Sequence, residues 1–234
     1  MKIFIILGIL VISTGCFILF RKKGSSAKIP TVTLVTKRDA NDFVKKIEEL
    51  GYFKYAAKKD IAILKADMVN YYDPNNEITT IWDDATGLPK DYRYYTCDGE
   101  SVFELGGVST LLKELKPTFN KIGFKCIVTN DIESWDEKNN WLNHSIMING
   151  NSYTLFKNFK DTGWGEAPMR LAEILNKELE KQGIAEKIYL ANGGNDGRLI
   201  FLTDDLYKYI YSIYKNPNWK PLELHEWATV MNVK

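Results

Sequence analysis

The chain carries only two histidines, His144 and His225, which argues against a multi-histidine metal site; no HExxH spacing occurs, and no metal or cofactor is expected. His225 is followed directly by Glu226, and helical neighbours point about 100° apart, so the pair does not converge on one ion and His225 reads as a surface residue. His144 opens an alternating run, SIMI, with no serine or cysteine nucleophile motif beside it. Carboxylates cluster at Asp83-Asp84, at Asp98 with Glu100, and at Asp204-Asp205. Two carboxylates can do acid/base work when their surroundings split their proton affinities. Asp98 is accounted for by a turn with Gly99, and Asp204-Asp205 by the start of a helix carrying Leu206, Tyr209, Ile210 and Ile213. Asp83-Asp84, in IWDDATGLPKDY, has no such duty. Together with His144 it supplies the enzyme reading of the chain, a membrane-anchored hydrolase; Cys97 with His144 is the other pairing the composition allows.

The glycine-rich NGGNDGR, Asn192 to Arg198, lacks the context of a phosphate loop. A phosphate cradle needs a helix after the glycines, with its first amides facing the ligand; here the β-prone RLIFLT follows, so the segment is expected to be a hairpin loop. Its Arg198 could meet an acidic partner. Aromatic residues concentrate toward the C-terminus at Tyr207, Tyr209, Tyr211, Tyr214, Trp219 and Trp227, and Trp164 sits between two glycines in KNFKDTGWGEAPM, as a binding finger or as a plug over the core. Interfaces favour Tyr, Trp and Arg. Trp164, Arg198, Tyr211, Trp219 and Trp227 are therefore the candidate partner-binding residues, with NPNWKPLELHEW an extended strap that Trp219 and Trp227 pin down.

Composition limits the partner. The formal charge is +1, from 31 basic and 30 acidic residues, and the basic residues are mostly Lys rather than the planar Arg that suits phosphates and bases. Nucleic acid is not expected; a protein partner is. The hydrophobic fraction of 45% and charged fraction of 26% are those of a globular domain. No C-x-x-C pair occurs. A Cys97–Cys126 disulfide would require an oxidising compartment, and the expected alternative is two half-buried thiols on neighbouring strands.

The elements that must position these residues begin with an apolar leader. No charged residue occurs from Ile3 to Phe20, and eighteen helical residues reach roughly 27 Å, close to the hydrocarbon thickness of a bilayer. Residues 1–22 are expected to be a membrane anchor, with lipid contacted through residues 3–20. Arg21, Lys22, Lys23 and Lys28 follow it, which favours a single-pass helix with a cytoplasmic tail. The alternative is lipidation: Ser13-Thr14-Gly15-Cys16 resembles a bacterial lipobox, which would put the lipid on Cys16 and the tail outside. Phe17-Ile18-Leu19-Phe20 continues the apolar run where lipoproteins turn polar, and Ser13 replaces the usual leucine.

Residues 23–30 form a small-residue linker and residues 31–234 the globular domain. TVTLVT, Thr31 to Thr36, reads as a strand. Asp39 then caps a helix with Phe43, Ile47 and Leu50 on one face, ended by Gly51, and Asp60 to Tyr72 has helical spacing with Ile61, Leu64, Met68 and Tyr72 in a stripe. Asp98-Gly99, Asn149-Gly150 and Asp196-Gly197 mark hairpins between apolar runs. DGESVFEL resembles NGNSYTLF, and each is followed by a helix closed by glycine and then a strand, which suggests a duplicated hairpin-helix-strand unit. The expected fold class is α+β, a mixed or antiparallel sheet with helices packed on one face. Acting by binding, in an immunity-type or scaffold role, is the leading functional expectation.

Overall fold

The computed structural model describes residues 36–233. In chain order the helices are α1 (Lys37–Glu49), α2 (Ile61–Asn70), α3 (Gly99–Phe103), α4 (Gly107–Ile122), α5 (Glu166–Lys181), α6 (Asp204–Ile213) and α7 (Leu224–Met231). The strands are β1 (Tyr94–Thr96), β2 (Val128–Asp136), β3 (Trp141–Ile148), β4 (Asn151–Phe159), β5 (Glu186–Ala191) and β6 (Arg198–Thr203). They form two antiparallel three-stranded sheets, ordered β1-β6-β5 and β2-β3-β4. The α+β expectation holds. The expected anchor, its lipidation alternative at Cys16, the linker and Thr31–Val35 of the TVTLVT run lie outside the described residues. Among the described residues no helix is long and apolar enough to cross a membrane.

Helices cover both faces of the first sheet, not one as expected. KIYLA and RLIFLT are nearly continuous apolar runs, so each strand sends large side chains both ways and neither face tolerates water. Ile188, Leu190, Leu199 and Phe201 point into a core shared with α4, α5 and α7. Tyr189, Ala191, Ile200 and Leu202 point into a second core with α1, α2 and α6. Each fully buried aliphatic or aromatic side chain contributes roughly 1.5–3 kcal/mol, so leaving either face bare would cost about as much as a domain's whole net stability.

The second sheet has one covered face. β3 alternates strictly, with Leu142, His144, Ile146 and Ile148 buried and the residues between them half-exposed. Leu142, Ile146 and Ile148 join the first core, with Leu155 and Phe156 of β4. The Asn149-Gly150 turn that joins these strands has both residues at positive φ, 52° and 80°, the two-residue turn whose twist matches antiparallel strands. Asp196-Gly197 likewise lies between paired β5 and β6.

The first Asx-Gly pair behaves differently. Asp98 is a helix cap: its carboxylate accepts from the Glu100 and Ser101 amides at 3.0 and 3.3 Å, and GESVF winds into α3. YRYYTC supplies β1, which pairs with the distant β6. An Asx before glycine serves a hairpin or a helix start equally well, and here the helix start forms, with Trp164 packed against Gly99. A Cβ on Gly99 would lie 1.9 Å from the Trp164 carbonyl oxygen. The duplication fails with it, because the strand after α4 joins β3 whereas the strand after α5 joins β6. At α1, Thr36 rather than Asp39 is the cap. The Thr36 hydroxyl accepts from the Asp39 amide and the Asp39 carboxylate accepts from the Thr36 amide, the two halves of a capping box.

The C-terminal strap runs beside β5, where Leu222 and Leu190 exchange two backbone hydrogen bonds of 2.8 and 3.1 Å. It then winds into α7, a helix the Pro-punctuated sequence hides. Trp227 does pin it: the ring is 2% exposed and its Nε1–H donates to the Asn192 carbonyl at 2.6 Å.

Candidate interaction surface

His144 faces β2. Its cross-strand neighbour is Glu133, with Asp131 two residues earlier on the same face. The ring's Nε2 lies 2.6 Å from Asp131 Oδ1 and its Nδ1 3.1 Å from Glu133 Oε1. The remaining carboxylate oxygens are also occupied: Ser109 Oγ donates to Asp131 Oδ2 at 2.5 Å, and the Gly106 amide donates to Glu133 Oε2 at 2.8 Å. Both ring nitrogens are engaged by carboxylates, so the imidazole offers neither to a nucleophile as a base. Ser109 bonds to the aspartate rather than to the imidazole, the reverse of the order a nucleophile-base relay requires. The cluster is a clip that ties the start of α4 to β2 and β3.

The hydrolase residues are not assembled around it. Asp83 accepts from the Thr86 hydroxyl and amide at 2.9 and 3.0 Å within its own turn, and those bonds hold its carboxyl below the ordinary value. Asp84 is exposed. No hydrogen bond joins either aspartate, or Cys97, to His144. Burial, then the charges of Asp98 and Glu114, push the Cys97 thiol up to about 12, and burial, then Glu178, pushes Cys126 up to about 11. Neither is a ready thiolate. Both cysteines are free, and they follow β1 and precede β2, strands of different sheets. Among the described residues no group of three or more His, Cys, Asp or Glu is arranged to hold a metal ion.

Two further buried polar clusters escaped the sequence. Arg93 is enclosed and donates to the carbonyls of Tyr52, Phe201 and Gly51 at 2.7, 2.9 and 3.1 Å, with its guanidinium 4.6 Å from the Tyr55 ring centre. Asp91 beside it accepts from the Tyr52 and Thr80 hydroxyls and from two amides; burial still raises its carboxyl above the ordinary value. Glu178 of α5 gathers the β3–β4 hairpin, accepting from Asn149 at 2.8 Å, Asn151 at 3.0 Å, Lys181 at 2.8 Å and the Tyr153 hydroxyl. Burial acts to raise Glu178, but the bonds from Lys181, Tyr153 and Asn149 outweigh it and hold the group below the usual carboxylate range. Among the described residues no buried side-chain nitrogen or oxygen lacks a hydrogen-bond partner, which suits scaffolding.

The five candidate partner residues separate once placed. Trp227 is buried and presents no surface. Arg198 is half-buried, with Nε 3.0 Å from Glu77 and its guanidinium 5.6 Å from the half-exposed Trp219 ring. The Tyr211 hydroxyl donates to Glu226 at 2.7 Å, and the Lys220 ammonium lies 3.5 Å from the ring centre. Trp164 is 42% exposed. It is partly plug and partly finger, because its backbone is wedged against Gly99 while much of its ring meets solvent.

The larger apolar exposure lies along β2. Ile132 is 58% exposed and Trp135 52%, with Ile127 and Val128 also open to solvent, and Leu105 in the α3–α4 turn is 88% exposed. The amide of Gly106, next to Leu105, is the one that bonds Glu133, which places that turn against the strand. β2 pairs with β3 along one edge; among the described residues, its residues 128–136 make no backbone hydrogen bond outside that ladder. The sequence signal was present in TNDIESW, an alternating stretch before a turn-forming DEKNN, but polar residues dominate both of its faces and mask the strand. No family model, curated protein or solved structure matches the chain.

Proposed function

We propose that this chain is a membrane-tethered binding protein whose α+β domain engages a protein partner, in an immunity-type or scaffold role. The observation that carries the reading is the long, apolar-bearing edge of β2, unpaired among the described residues, on a domain in which His144, Arg93, Asp91 and Glu178 are engaged in internal bonds. Residues 3–20 supply the tether and the charges after them favour a cytoplasmic domain; a lipid on Cys16, with the domain exported, is the alternative. Trp164 is a second contact point, and Trp219 with Tyr211 a third.

In-cell photocrosslinking of the full-length chain tests this. A photoreactive residue in place of Ile132 or Trp164 is expected to yield a discrete protein adduct, and one in place of the exposed Lys208 none. Adducts of equal yield at all three positions, or at none, overturn the reading. The side of the membrane is read by labelling an introduced Lys208→Cys in intact cells, because burial makes Cys97 unresponsive.

A further inference from the structure

We infer that the open edge of β2 takes up an extended peptide strand from the protein partner, one in which basic residues alternate with apolar ones. The inference rests on the binding reading above and names the partner's local chemistry. A strand edge presents a row of unpaired amides and carbonyls that another strand can complete. Edges exposed by accident are blunted by proline, by lysine, by a covering segment or by short length. β2 has nine residues, VTNDIESWD, with no proline, glycine or lysine among them, and no described segment covers it.

A bulge also blunts an edge, and β2 has a register shift between Val128 and Asn130, which leaves residues 130–136 as the regular edge; charged residues turned inward are the last such device, because an added strand would bury them unpaired. Asp131 and Glu133 do turn inward, but His144, Ser109 and the Gly106 amide already satisfy them. An incoming strand therefore meets carboxylates whose desolvation the fold has largely met.

Charge then selects the occupant. Across β2 and its following turn stand four carboxylates, Asp131, Glu133, Asp136 and Glu137, against His144 and Lys138, so the balance is acidic even with the imidazole counted as a cation. A second copy of β2, paired antiparallel about Ile132, would set Asp131 opposite Glu133 and place like charges side by side, which is unfavourable. A basic strand reverses the sign. Its apolar residues meet Ile132, which shares the outer face of the sheet with Ser145, or on the opposite side Leu105 and Trp135.

The test uses the full-length chain in a mild non-ionic detergent and three fluorescent octapeptides, KVKVKVKV, EVEVEVEV and KPPKPPKK, followed by anisotropy. The Lys-Val peptide is expected to bind at least about tenfold more tightly than the Glu-Val peptide and to weaken as salt screens the charges. The Lys-Pro peptide, equally charged but with prolines in both alternating sets of positions, so that neither of its edges keeps a continuous row of amides, is expected not to bind. Ile132→Lys, which installs the usual edge-blunting charge at an exposed position, is expected to weaken the Lys-Val peptide at least about tenfold with an unchanged melting temperature. Equal binding of the Lys-Pro peptide, indifference to Ile132→Lys, or no binding overturns the inference, as does a dimer that Ile132→Lys dissolves, since the occupant would then be a second copy. If the peptides fail while Ile132 or Trp164 still crosslinks to a protein in cells, the strand inference falls and the binding reading stands; if the crosslinks fail as well, both fall.

Discussion

Replacing His144 with leucine should cost this domain about 3 kcal/mol, at the lower end of the range for losing hydrogen bonds to two carboxylates. The two carboxylates left behind are 16% and 10% exposed and sit on one face of β2, two residues apart. Each keeps one donor, Ser109 for Asp131 and the Gly106 amide for Glu133, and each loses its contact with the ring. Those retained bonds, with the small solvent access, are why the lower end applies. For a domain of this size about 3 kcal/mol corresponds to a fall in melting temperature of roughly 6–12 °C. The assay is thermal and urea unfolding of the full-length chain followed by circular dichroism, with the triple variant Asp131→Asn, Glu133→Gln, His144→Leu beside the single one. The triple variant should recover more than half of the loss, because the penalty comes from stranded charge rather than from the missing ring. A His144→Leu melting temperature within about 2 °C of the parent, where surface substitutions fall, would refute the clip. So would a triple variant no more stable than the single one.

Three other outcomes follow from the buried groups. Glu178 is held below the ordinary carboxylate value in the folded state, so its contribution is present above the unfolded-state carboxylate range and is lost as pH falls through the depressed folded value. Glu178→Gln should therefore be less stable than the parent at pH 7 by about 1–3 kcal/mol, and urea midpoints of the two should converge on acidification to about pH 3; a gap that widens in acid contradicts the assignment. Gly99→Ala should destabilise by about 1–3 kcal/mol or more, since its Cβ would lie 1.9 Å from the Trp164 carbonyl oxygen, and should alter tryptophan fluorescence; a silent substitution would show that the turn is not wedged there. In a Cys16→Ser chain, Cys97 and Cys126 should resist a thiol reagent at neutral pH and react once urea unfolds the domain, whereas rapid native labelling of Cys97 would contradict its burial.

Much of the secondary structure could be read from periodicity alone. Phe43 and Ile47, Leu64 and Met68, and Leu206 and Ile210 occupy the buried faces that their helical spacing implies, and Asn149-Gly150 turns as its chemistry requires. Where the reading failed, two structures shared one local signal and distant contacts chose between them. Asp98-Gly99 suits a hairpin and a helix cap alike, and β1 finds its partner in the distant β6 rather than in the residues after the turn. NPNWKPLELHEW suits a strap throughout until Trp227 finds the Asn192 carbonyl and a helix forms around it. The residues singled out for partner binding were chosen without sight of their internal partners, Glu226 for Tyr211 and Glu77 for Arg198. The clip at His144 was illegible because its ligands lie on a strand hidden by its polar residues.

That clip also bears on how an open edge can persist on a stable domain. A strand whose inward face carried leucine in place of Asp131 and Glu133 would bury its edge residues more deeply and would pair with any strand, its own copy included. A strand whose inward acids were unpaired would repel every neighbour. β2 lies between these cases: its acids are satisfied well enough to tolerate an added strand, yet their negative charge disfavours a second copy of the same sequence. Neutralising both acids while keeping Ile132 should therefore loosen the discrimination rather than abolish pairing. The Asp131→Asn, Glu133→Gln, His144→Leu chain is expected to bind the Lys-Val and Glu-Val peptides with affinities closer to one another, and to self-associate where the parent does not. Unchanged preference for the basic peptide in that variant would place the source of selectivity elsewhere, at Asp136 and Glu137 in the following turn.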